Sequence, residues 1–185
     1  MRVESKMNNV MIDIETMGAG SSAAIVSIGA VYFDENGLGE EFYINVDLAT
    51  AMEKGGEIDG DTVMWWLGQN KEARKSLKTN LHDIGVALFK LSLFLGSEDG
   101  EINEQLKVWG NGAGFDNVIL AGAYSRCQIQ LPWKFWNDRC YRTMKSLFRD
   151  VKLERKGTYH NALDDAKTQA LHLIEIAQTH AITFI

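Results

Sequence analysis

Three runs of apolar residues near the start of the chain predict β-strands. The first is 9–16 (NVMIDIET), and the runs 24–33 (AIVSIGAVYF) and 41–46 (EFYINV) are rich in the β-branched and aromatic side chains that strands favour. The turn sequence DENG at 34–37 separates the second run from the third. Because the connections between the three strands are short, we expect an antiparallel meander.

The rest of the chain alternates between helical and strand patterns. Apolar spacings of three and four residues predict helices, and short apolar runs predict two further strands. The predicted helices are 62–67, 71–77, 82–95, 115–126 and 161–179, and the predicted strands are 106–109 and about 139–141. Strands followed by helices that alternate with strands are typical of an α/β domain with a mixed sheet.

Length and composition suit one folded domain. The 185 residues, 45% of them apolar, predict a single domain over 1–185 with an insertion at about 47–80. The sequence MRVESKMNNV at the start has no apolar leader core, and the most apolar later window, 86–95, is short and carries a lysine. Cys127 and Cys140 form neither a metal-binding spacing nor a disulfide framework. We therefore expect a cytoplasmic protein that does not enter a membrane.

Charge is unevenly distributed along the chain. The formal net charge of −6 argues against a protein that coats nucleic acid by bulk attraction. Residues 139–156 nevertheless carry a local charge of +5, from two acids and seven basic residues: Arg139, Arg142, Lys145, Arg149, Lys152, Arg155 and Lys156. Several recur at three- or four-residue spacing, as on one helical face. The segment is either a solvated helix surface or a surface that follows phosphates.

The first strand carries two acids in an otherwise apolar run. Asp13 and Glu15 are two residues apart, so they share one face of the strand while Ile12 and Ile14 take the other. Two such carboxylates repel each other unless a positive group lies between them. A half-exposed edge strand with two solvated acids is the simple interpretation, and a cation site is the alternative.

Two later segments also place acids at the start of helices. In NGAGFD (111–116), glycines lead from a strand into a helix, and Asp116 falls in its first turn, where an aspartate commonly caps the helix. In YHNALDDAKTQALHL (159–173), His160 precedes an apolar helix that contains Asp164 and Asp165. Each pattern alone has a structural explanation.

Taken together, the three segments supply the ligands of a metal-dependent hydrolase. Two carboxylates come from a strand, others come from two helix starts, and one histidine accompanies them. Carboxylates of this kind could hold two divalent ions while an imidazole takes a proton from water. Oxygen ligands favour Mg²⁺ or Mn²⁺ over metals that prefer thiolates. The ions would also allow neighbouring acids to stay ionised.

The same segments resemble the three exonuclease motifs of the DnaQ-like, or DEDDh, 3′-to-5′ exonucleases. The motifs are D-I-E-T at 13–16, N-x-x-x-F-D at 111–116 and H-N-A-L-D-D-A at 160–166, in the family's order, and the resemblance spans 9 to about 179. It implies a ribonuclease H-like fold with a mixed five-stranded sheet flanked by helices. It also implies two-metal hydrolysis that releases nucleoside 5′-monophosphates from a 3′ end.

The resemblance also implies roles for individual residues. The family's four metal-binding acids match Asp13, Glu15, Asp116 and Asp165, and its general base matches His160. The form H-x-A-x-x-D selects Asp165 over its neighbour Asp164, and the histidine selects the DEDDh branch over the tyrosine branch despite the adjacent Tyr159. The residues expected to contact substrate are Thr16, Met17, Trp66, Asn111 and Phe115. Family members more often have a threonine or a similar residue at the position of Met17.

Aromatic residues in the insertion suggest contacts with bases. Trp65 and Trp66 could stack on single-stranded nucleic acid, but neighbours on a helix point about 100° apart, so at most one is expected to do so. The segment is similar to one in a subgroup that includes phage and prophage exonucleases and a mycobacterial 3′-to-5′ exoribonuclease. Core or dimer-interface positions are expected for Trp109, Trp133, Phe135 and Trp136, and no role is assigned to His82, His172 or His180.

The leading hypothesis is therefore a metal-dependent exonuclease acting on 3′ ends of single-stranded DNA or RNA, with a homodimer as one expected assembly. An endonuclease on the same fold lacks support, since the third motif has the exonuclease form. A nucleic-acid-binding module that has lost catalysis is the alternative from another class. The presence of all four acids and the histidine argues against it. No sequence motif distinguishes DNA from RNA.

Overall fold

Six strands form one mixed sheet in the computed structural model, which describes residues 7–97 and 100–184. They are β1 (Asn9–Thr16), β2 (Ile25–Asp34), β3 (Gly37–Val46), β4 (Leu81–His82), β5 (Lys107–Gly110) and β6 (Asp138–Cys140). Their order across the sheet is β4-β3-β2-β1-β5-β6. The pairs β1–β2 and β2–β3 are antiparallel, which confirms the predicted meander, and the other pairs are parallel.

The mixed α/β architecture is as predicted, but the expected number of five strands is wrong for the part of the chain described. The strand that was not expected is β4, which has two residues and pairs in parallel with the end of β3, where Asn45 lies opposite Leu81. Asn45 also fixes the chain before β4, because its side-chain amide donates to the carbonyl oxygens of Ser76 and Thr79, each at 2.8 Å. A two-residue strand has no alternating pattern, so the sequence could not predict it.

Helices lie on both faces of the sheet. They are α1 (Leu48–Glu53), α2 (Gly60–Gly68), α3 (Lys71–Ser76), α4 (Ile84–Phe94), α5 (Asp116–Arg126), α6 (Tyr141–Leu147) and α7 (Ala162–His180). The five helices predicted from apolar spacing correspond to α2, α3, α4, α5 and α7. The short helix α1 was not predicted; it is capped by Asp47, whose carboxylate accepts the N–H of Ala49 at 2.9 Å.

The basic segment 139–156 does not form one helical face. Only Tyr141–Leu147 is helical, and the residues that follow it are irregular as far as α7. Arg149, Lys152 and Arg155 therefore do not continue the helical spacing that the sequence suggested. A helical surface is therefore limited to α6, and a surface that follows phosphates stays a prediction for the segment.

Two apolar cores cover the faces of the sheet. On one face, the side chains of β1 and β2 pack against α4 and α5, with Ile28, Leu88 and Trp133 buried. On the other face, α7 covers a smaller core that includes Val31 and Trp109. Burial of large apolar side chains on both faces fixes the sheet between its helices.

Two of the four aromatic residues assigned to a core or an interface are buried. Trp109 and Trp133 lie in the two cores, whereas Phe135 and Trp136 are exposed on a short 3-10 turn. Among the histidines without an assigned role, His172 is buried, and a hydrogen bond of 2.8 Å joins its Nδ1 atom and the Tyr141 hydroxyl. Within 7–97 and 100–184, none of the helices has the length and apolarity needed to cross a membrane.

The start of α7 is pressed against the middle of β2. A Cβ atom on Gly29 would lie 2.2 Å from backbone atoms of Ala162 and Leu163, so only glycine fits there. Gly29 is also the partner of Asp13 in the β1–β2 ladder. This close approach brings the segment that precedes α7 next to the carboxylates of β1.

Candidate active site

One cavity of about 280 Å³ gathers the predicted catalytic residues at the ends of β1 and β5. Its lining includes the four predicted metal ligands and the predicted base: Asp13, Glu15, Asp116, Asp165 and His160. Asn111 and Phe115, expected to contact substrate, also line it, together with Arg142 and Gln169. We call this space the acidic cavity.

Asp116 joins two parts of the sheet to the acidic cavity. One carboxylate oxygen accepts the backbone N–H of Ile14 at 3.3 Å, and the other accepts the backbone N–H of Asn111 at 2.7 Å. Asp116 is thus the first residue of α5 and also a bridge between β1 and the loop after β5. The predicted capping role is not observed, because the cap position before α5 is Phe115 and no side chain caps the helix, whereas the buried carboxylate of Asp116 lies at the predicted metal-ligand position.

The turn before α7 separates the two neighbouring aspartates. Asp165 faces the acidic cavity, and its Oδ2 atom accepts the backbone N–H of His160 at 3.1 Å. Asp164 instead accepts the backbone N–H of Thr158 at 2.7 Å. His160 has a left-handed backbone with φ of 61°, and Asn161 caps α7. Of the two aspartates, Asp165 therefore lines the acidic cavity and Asp164 does not.

The closely spaced acids of the acidic cavity repel one another when they are ionised. Burial, together with the charges of Asp116 and Glu15, raises the pKa of Asp13 well above its usual range. Burial and the Asp116 charge raise the pKa of Glu15 to about 7, and burial raises the pKa of Asp116 to about 6. Such a set of oxygen donors fits a divalent cation, which would allow all these acids to ionise.

A smaller group within the acidic cavity has the spacing of a single metal site. One donor atom each from Glu15, His160 and Asp165 lie within 4.8 Å of one another. Asp13 and Asp116 supply further carboxylates around the same space. The residues present therefore fit the divalent ions that the sequence led us to expect.

Arg155 enters the site although the sequence grouped it with the basic surface segment. Its guanidinium forms an ion pair with Asp165, donates to the carbonyl oxygen of Thr158 at 2.7 Å, and lies over the ring of Tyr159 with Cζ 4.3 Å from the ring centre. The positive charge lowers the pKa of Asp13, against the larger effect of burial. No local motif marks this arginine, since its contacts depend on how the irregular chain folds back onto α7.

Gln169 is a second site residue that the motifs did not identify. It is buried on α7, one turn after Asp165, and its Nε2 atom donates to Asp13 at 2.7 Å. Its Oε1 atom accepts no hydrogen bond from the residues that the structure describes. The four-residue spacing from Asp165 is the signal that places Gln169 on the same helix face.

His160 lies between the acidic cavity and the two tryptophans. Burial, and secondarily the charge of Arg155, lowers the pKa of His160. The indole of Trp65 packs edge-on against the imidazole with ring centres 4.7 Å apart. Neutral imidazole is the form able to accept a proton, so the lowered pKa favours His160 as the base.

The two tryptophans divide between surface and interior, as their helical spacing predicts. Trp65 is 45% exposed, whereas Trp66 is 4% exposed and its indole N–H donates to the carbonyl oxygen of Thr16 at 2.9 Å. Both line a groove of about 430 Å³ that also contains Thr16 and Phe115, and we call it the tryptophan groove. The sequence assigned the substrate contact to Trp66, but the exposed ring is that of Trp65.

Comparison with known proteins identifies the family. A model of the 3′-5′ exoribonuclease Rv2179c-like domain matches residues 8–177. The chain belongs to this family. It is also similar to an exodeoxyribonuclease of Enterobacteria phage T4, with 28% identity over 162 residues that cover 74% of this chain and 70% of the phage protein.

Solved structures share the fold of this exonuclease. The nuclease domain of 3′hExo, a DEDDh family member bound to rAMP, has a TM-score of 0.63 and 13% identity, covering 99% of this chain and 98% of that one. A 3′-exonuclease studied for recognition of a histone mRNA stem-loop has a TM-score of 0.61 and 14% identity, with coverage of 98% and 87%. The expected DnaQ-like, ribonuclease H-like assignment is confirmed, and the protein is a 3′-to-5′ exonuclease.

Proposed function

We propose that this exonuclease, acting as one catalytic domain, trims single-stranded nucleic acid from its 3′ end and releases nucleoside 5′-monophosphates. The observation that carries the proposal is the acidic cavity, where four carboxylates and one imidazole from three chain segments surround about 280 Å³. The family model describes an exoribonuclease and the phage relative is an exodeoxyribonuclease, so the assay includes both sugars.

The carboxylates of the acidic cavity would hold two Mg²⁺ or Mn²⁺ ions. Asp13, Glu15 and Asp165 would hold one ion, and Asp13 with Asp116 would hold the second. When bound, the ions supply the positive charge that activates water and stabilises the phosphate oxygens during displacement. Gln169 orients Asp13 through the 2.7 Å hydrogen bond, and the backbone N–H of His160 orients Asp165.

His160 would accept the proton of the attacking water on a ring nitrogen. A lowered pKa keeps the imidazole neutral at physiological pH, which general-base catalysis requires. Trp65 limits the space into which the ring can turn, because it packs against the imidazole at 4.7 Å. Activity should rise with pH through the imidazole titration and persist at alkaline pH.

The tryptophan groove would hold the 3′-terminal nucleotide. Thr16 and Phe115 line it next to Glu15, and Trp65 offers an exposed ring on which a base can stack. Stacking of this kind tolerates any base, which suits an enzyme without sequence preference. Asn111 lines the acidic cavity, where the scissile phosphate would lie.

A degradation ladder tests this function. Matched 5′-labelled RNA and DNA oligonucleotides are incubated with Mg²⁺ or Mn²⁺, with EDTA as the metal-free control. Asp165→Asn should abolish shortening from the 3′ end, whereas Asp164→Asn, the matched control, should retain it because Asp164 faces away from the acidic cavity. Binding without cleavage by the wild-type protein would favour the alternative of a catalytically weak binding module.

Assembly and location complete the proposal. We expect a homodimer, with the exposed Phe135 and Trp136 in the interface, and sedimentation that shows only monomer at micromolar concentration would contradict it. We also expect the enzyme to work in the cytoplasm, whose reducing conditions suit the free thiols of Cys127 and Cys140. Fluorescence microscopy of a tagged chain would test that location.

A further inference from the structure

An arginine that has no part in the proposed function lines the acidic cavity. Arg142 is the second residue of α6, and its guanidinium lies beside the loop after β5. A Cβ atom built on Gly112 of that loop would lie 3.9 Å from Cζ of Arg142. Among the described residues that line the acidic cavity, Arg142 is the one with a permanent positive charge.

The fold fixes the backbone that carries Arg142. The preceding residue, Tyr141, is buried, and a hydrogen bond of 2.8 Å joins its hydroxyl to Nδ1 of His172 on α7. Cys140, at the end of β6, pairs with Gly110 at the end of β5. Neighbours on a helix point about 100° apart, so the anchored Tyr141 leaves the side chain of Arg142 on the surface. Arg142 is therefore an exposed side chain at the acidic cavity, on a backbone held by β5 and α7.

The charge of Arg142 is not paired with an acid of the described chain. None of the ion pairs found within residues 7–97 and 100–184 includes it. Arg155 differs, because its guanidinium pairs with Asp165, donates to a carbonyl oxygen and lies over an aromatic ring. Burial raises the pKa of Asp116 to about 6, and the charge of Arg142 acts on that carboxyl in the opposite direction without an ion pair. The guanidinium of Arg142 is therefore available to an anion in the acidic cavity.

The proposed reaction brings such an anion into the acidic cavity. Hydrolysis joins the oxygen of a water molecule to phosphorus and breaks the bond from phosphorus to the 3′ oxygen of the preceding nucleotide. His160 accepts the proton of the water, and the departing oxygen takes a proton from solvent. The four carboxylates would be balanced by two divalent ions, so the charge of the scissile phosphate is additional. A planar guanidinium can bind two oxygens of one phosphate at once.

The two spaces of the site indicate which part of the substrate Arg142 can reach. The tryptophan groove, proposed for the 3′-terminal nucleotide, shares Ile14, Glu15 and Phe115 with the acidic cavity. Arg142 lines the acidic cavity but not the tryptophan groove. It therefore lies where the scissile phosphate is expected, and not beside the base of the terminal nucleotide.

We infer that Arg142 is a further catalytic residue, whose guanidinium binds the non-bridging oxygens of the scissile phosphate during hydrolysis. The inference rests on the proposed function, because it takes that phosphate to lie in the acidic cavity. A positive group held at the reacting phosphate stabilises the charge on its oxygens as the bonds to phosphorus change. The exonuclease motifs do not include Arg142, and only the folded chain brings it to the acidic cavity.

The first test measures phosphate binding without catalysis. Calorimetry in Mn²⁺ compares AMP, whose phosphate is the former scissile phosphate, with adenosine, which has none, and repeats both with the deoxy forms. Arg142→Gln should weaken AMP binding about 10- to 100-fold and leave adenosine binding within about 2-fold. Arg142→Lys keeps the charge without the planar fork, so its loss should be smaller. The control Lys90→Gln removes an exposed charge of α4 that lines neither space, and it should match wild type.

The second test asks which phosphate Arg142 contacts. Two hexanucleotides are compared under single-turnover conditions: a fully charged strand, and one in which methylphosphonates neutralise every linkage except the 3′-terminal one. Arg142→Gln should slow removal of the 3′ nucleotide about 100-fold on both strands, because both keep the charge of the scissile phosphate. Thermal unfolding checks that the variant folds, and Arg142→Lys gives a second comparison that retains the charge.

Each result either supports or overturns the inference. AMP binding unchanged by Arg142→Gln, or equal losses for AMP and adenosine, would overturn it. A rate loss confined to the fully charged strand would also overturn it, because Arg142 would then contact phosphates further along the strand. If wild-type protein cleaves neither strand, the proposed function fails, and calorimetry still decides whether Arg142 binds a phosphate. If wild type cleaves both strands and Arg142→Gln does so at the same rate, only the inference fails.

Discussion

Replacing Glu15 with glutamine should stabilise the metal-free protein at alkaline pH. Burial and the Asp116 charge raise the pKa of Glu15 from its ordinary 4.5 to about 7, so the folded chain holds this proton more tightly than the unfolded chain does. Stability contributed by the bound proton is fully present below pH 4.5 and is lost as pH rises to about 7. Above that pH, the ionised Glu15 destabilises the fold.

The size of the effect follows from the shift. At 1.36 kcal/mol for each pKa unit, ionised Glu15 costs about 3 kcal/mol at pH 8. Glu15→Gln removes this cost while keeping the shape of the side chain. For a protein of this length, about 3 kcal/mol corresponds to a rise in Tm of about 6 to 12 °C.

Urea and thermal unfolding in EDTA would measure the effect at pH 5 and pH 8. Glu15→Gln should exceed wild type at pH 8 and differ much less at pH 5, and the exposed Glu53→Gln should match wild type at both. Adding Mn²⁺ should stabilise wild type more than Glu15→Gln, because one ligand is lost. A variant no more stable than wild type at pH 8 in EDTA would refute the reasoning.

Three further substitutions test other contacts of the site. Gly29→Ala should lower stability by about 1 to 3 kcal/mol or more and reduce activity, because the new Cβ would lie 2.2 Å from the α7 backbone. Thermal unfolding and the ladder assay measure the two effects. In the control Gly20→Ala, which has open space around it, stability and activity should both stay unchanged. Gln169→Leu should weaken Mn²⁺ binding by about 10- to 100-fold in calorimetry, and an unchanged affinity would contradict its role in orienting Asp13. Arg155→Gln should raise the pKa of His160, so the acid limb of kcat/KM should move to higher pH; a limb that stays in place would show that the arginine does not act on the base.

The sequence was informative wherever a function depends on residues close together in the chain. The two-residue spacing of Asp13 and Glu15 predicted a shared strand face, and the resemblance to the family motif H-x-A-x-x-D selected Asp165 over Asp164. Long amphipathic helices were predicted to within about two residues because their burial repeats over several turns. These features are local, so they could be predicted without knowledge of the tertiary fold.

The features that the sequence missed depend on contacts between distant segments or on very short elements. The pairing of β4 with β3 involves two residues and offers no period to detect. The six-residue helix α1 was also missed, although α3 has the same length and was predicted. Arg155 reaches Asp165 because an irregular segment folds back onto α7, and neither its spacing nor its residue type indicates that. The division of Trp65 and Trp66 between surface and interior was expected, but which of them would be buried depended on the direction in which α2 packs.

The two backbone hydrogen bonds of Asp116 affect how inactive variants of this enzyme should be designed. Asparagine is the usual replacement for a metal-binding aspartate, since it keeps the shape and removes the charge. At position 116, however, both oxygens accept backbone N–H groups, and the NH₂ of an asparagine would face one of those donors. Loss of activity in Asp116→Asn would therefore combine a missing ligand with a loosened junction between β1 and the loop after β5. Asp165→Asn would meet part of the same difficulty, because Asp165 accepts the backbone N–H of His160. Asp13 accepts a hydrogen bond from the side chain of Gln169, so substitution of Asp13 gives the cleaner inactive variant.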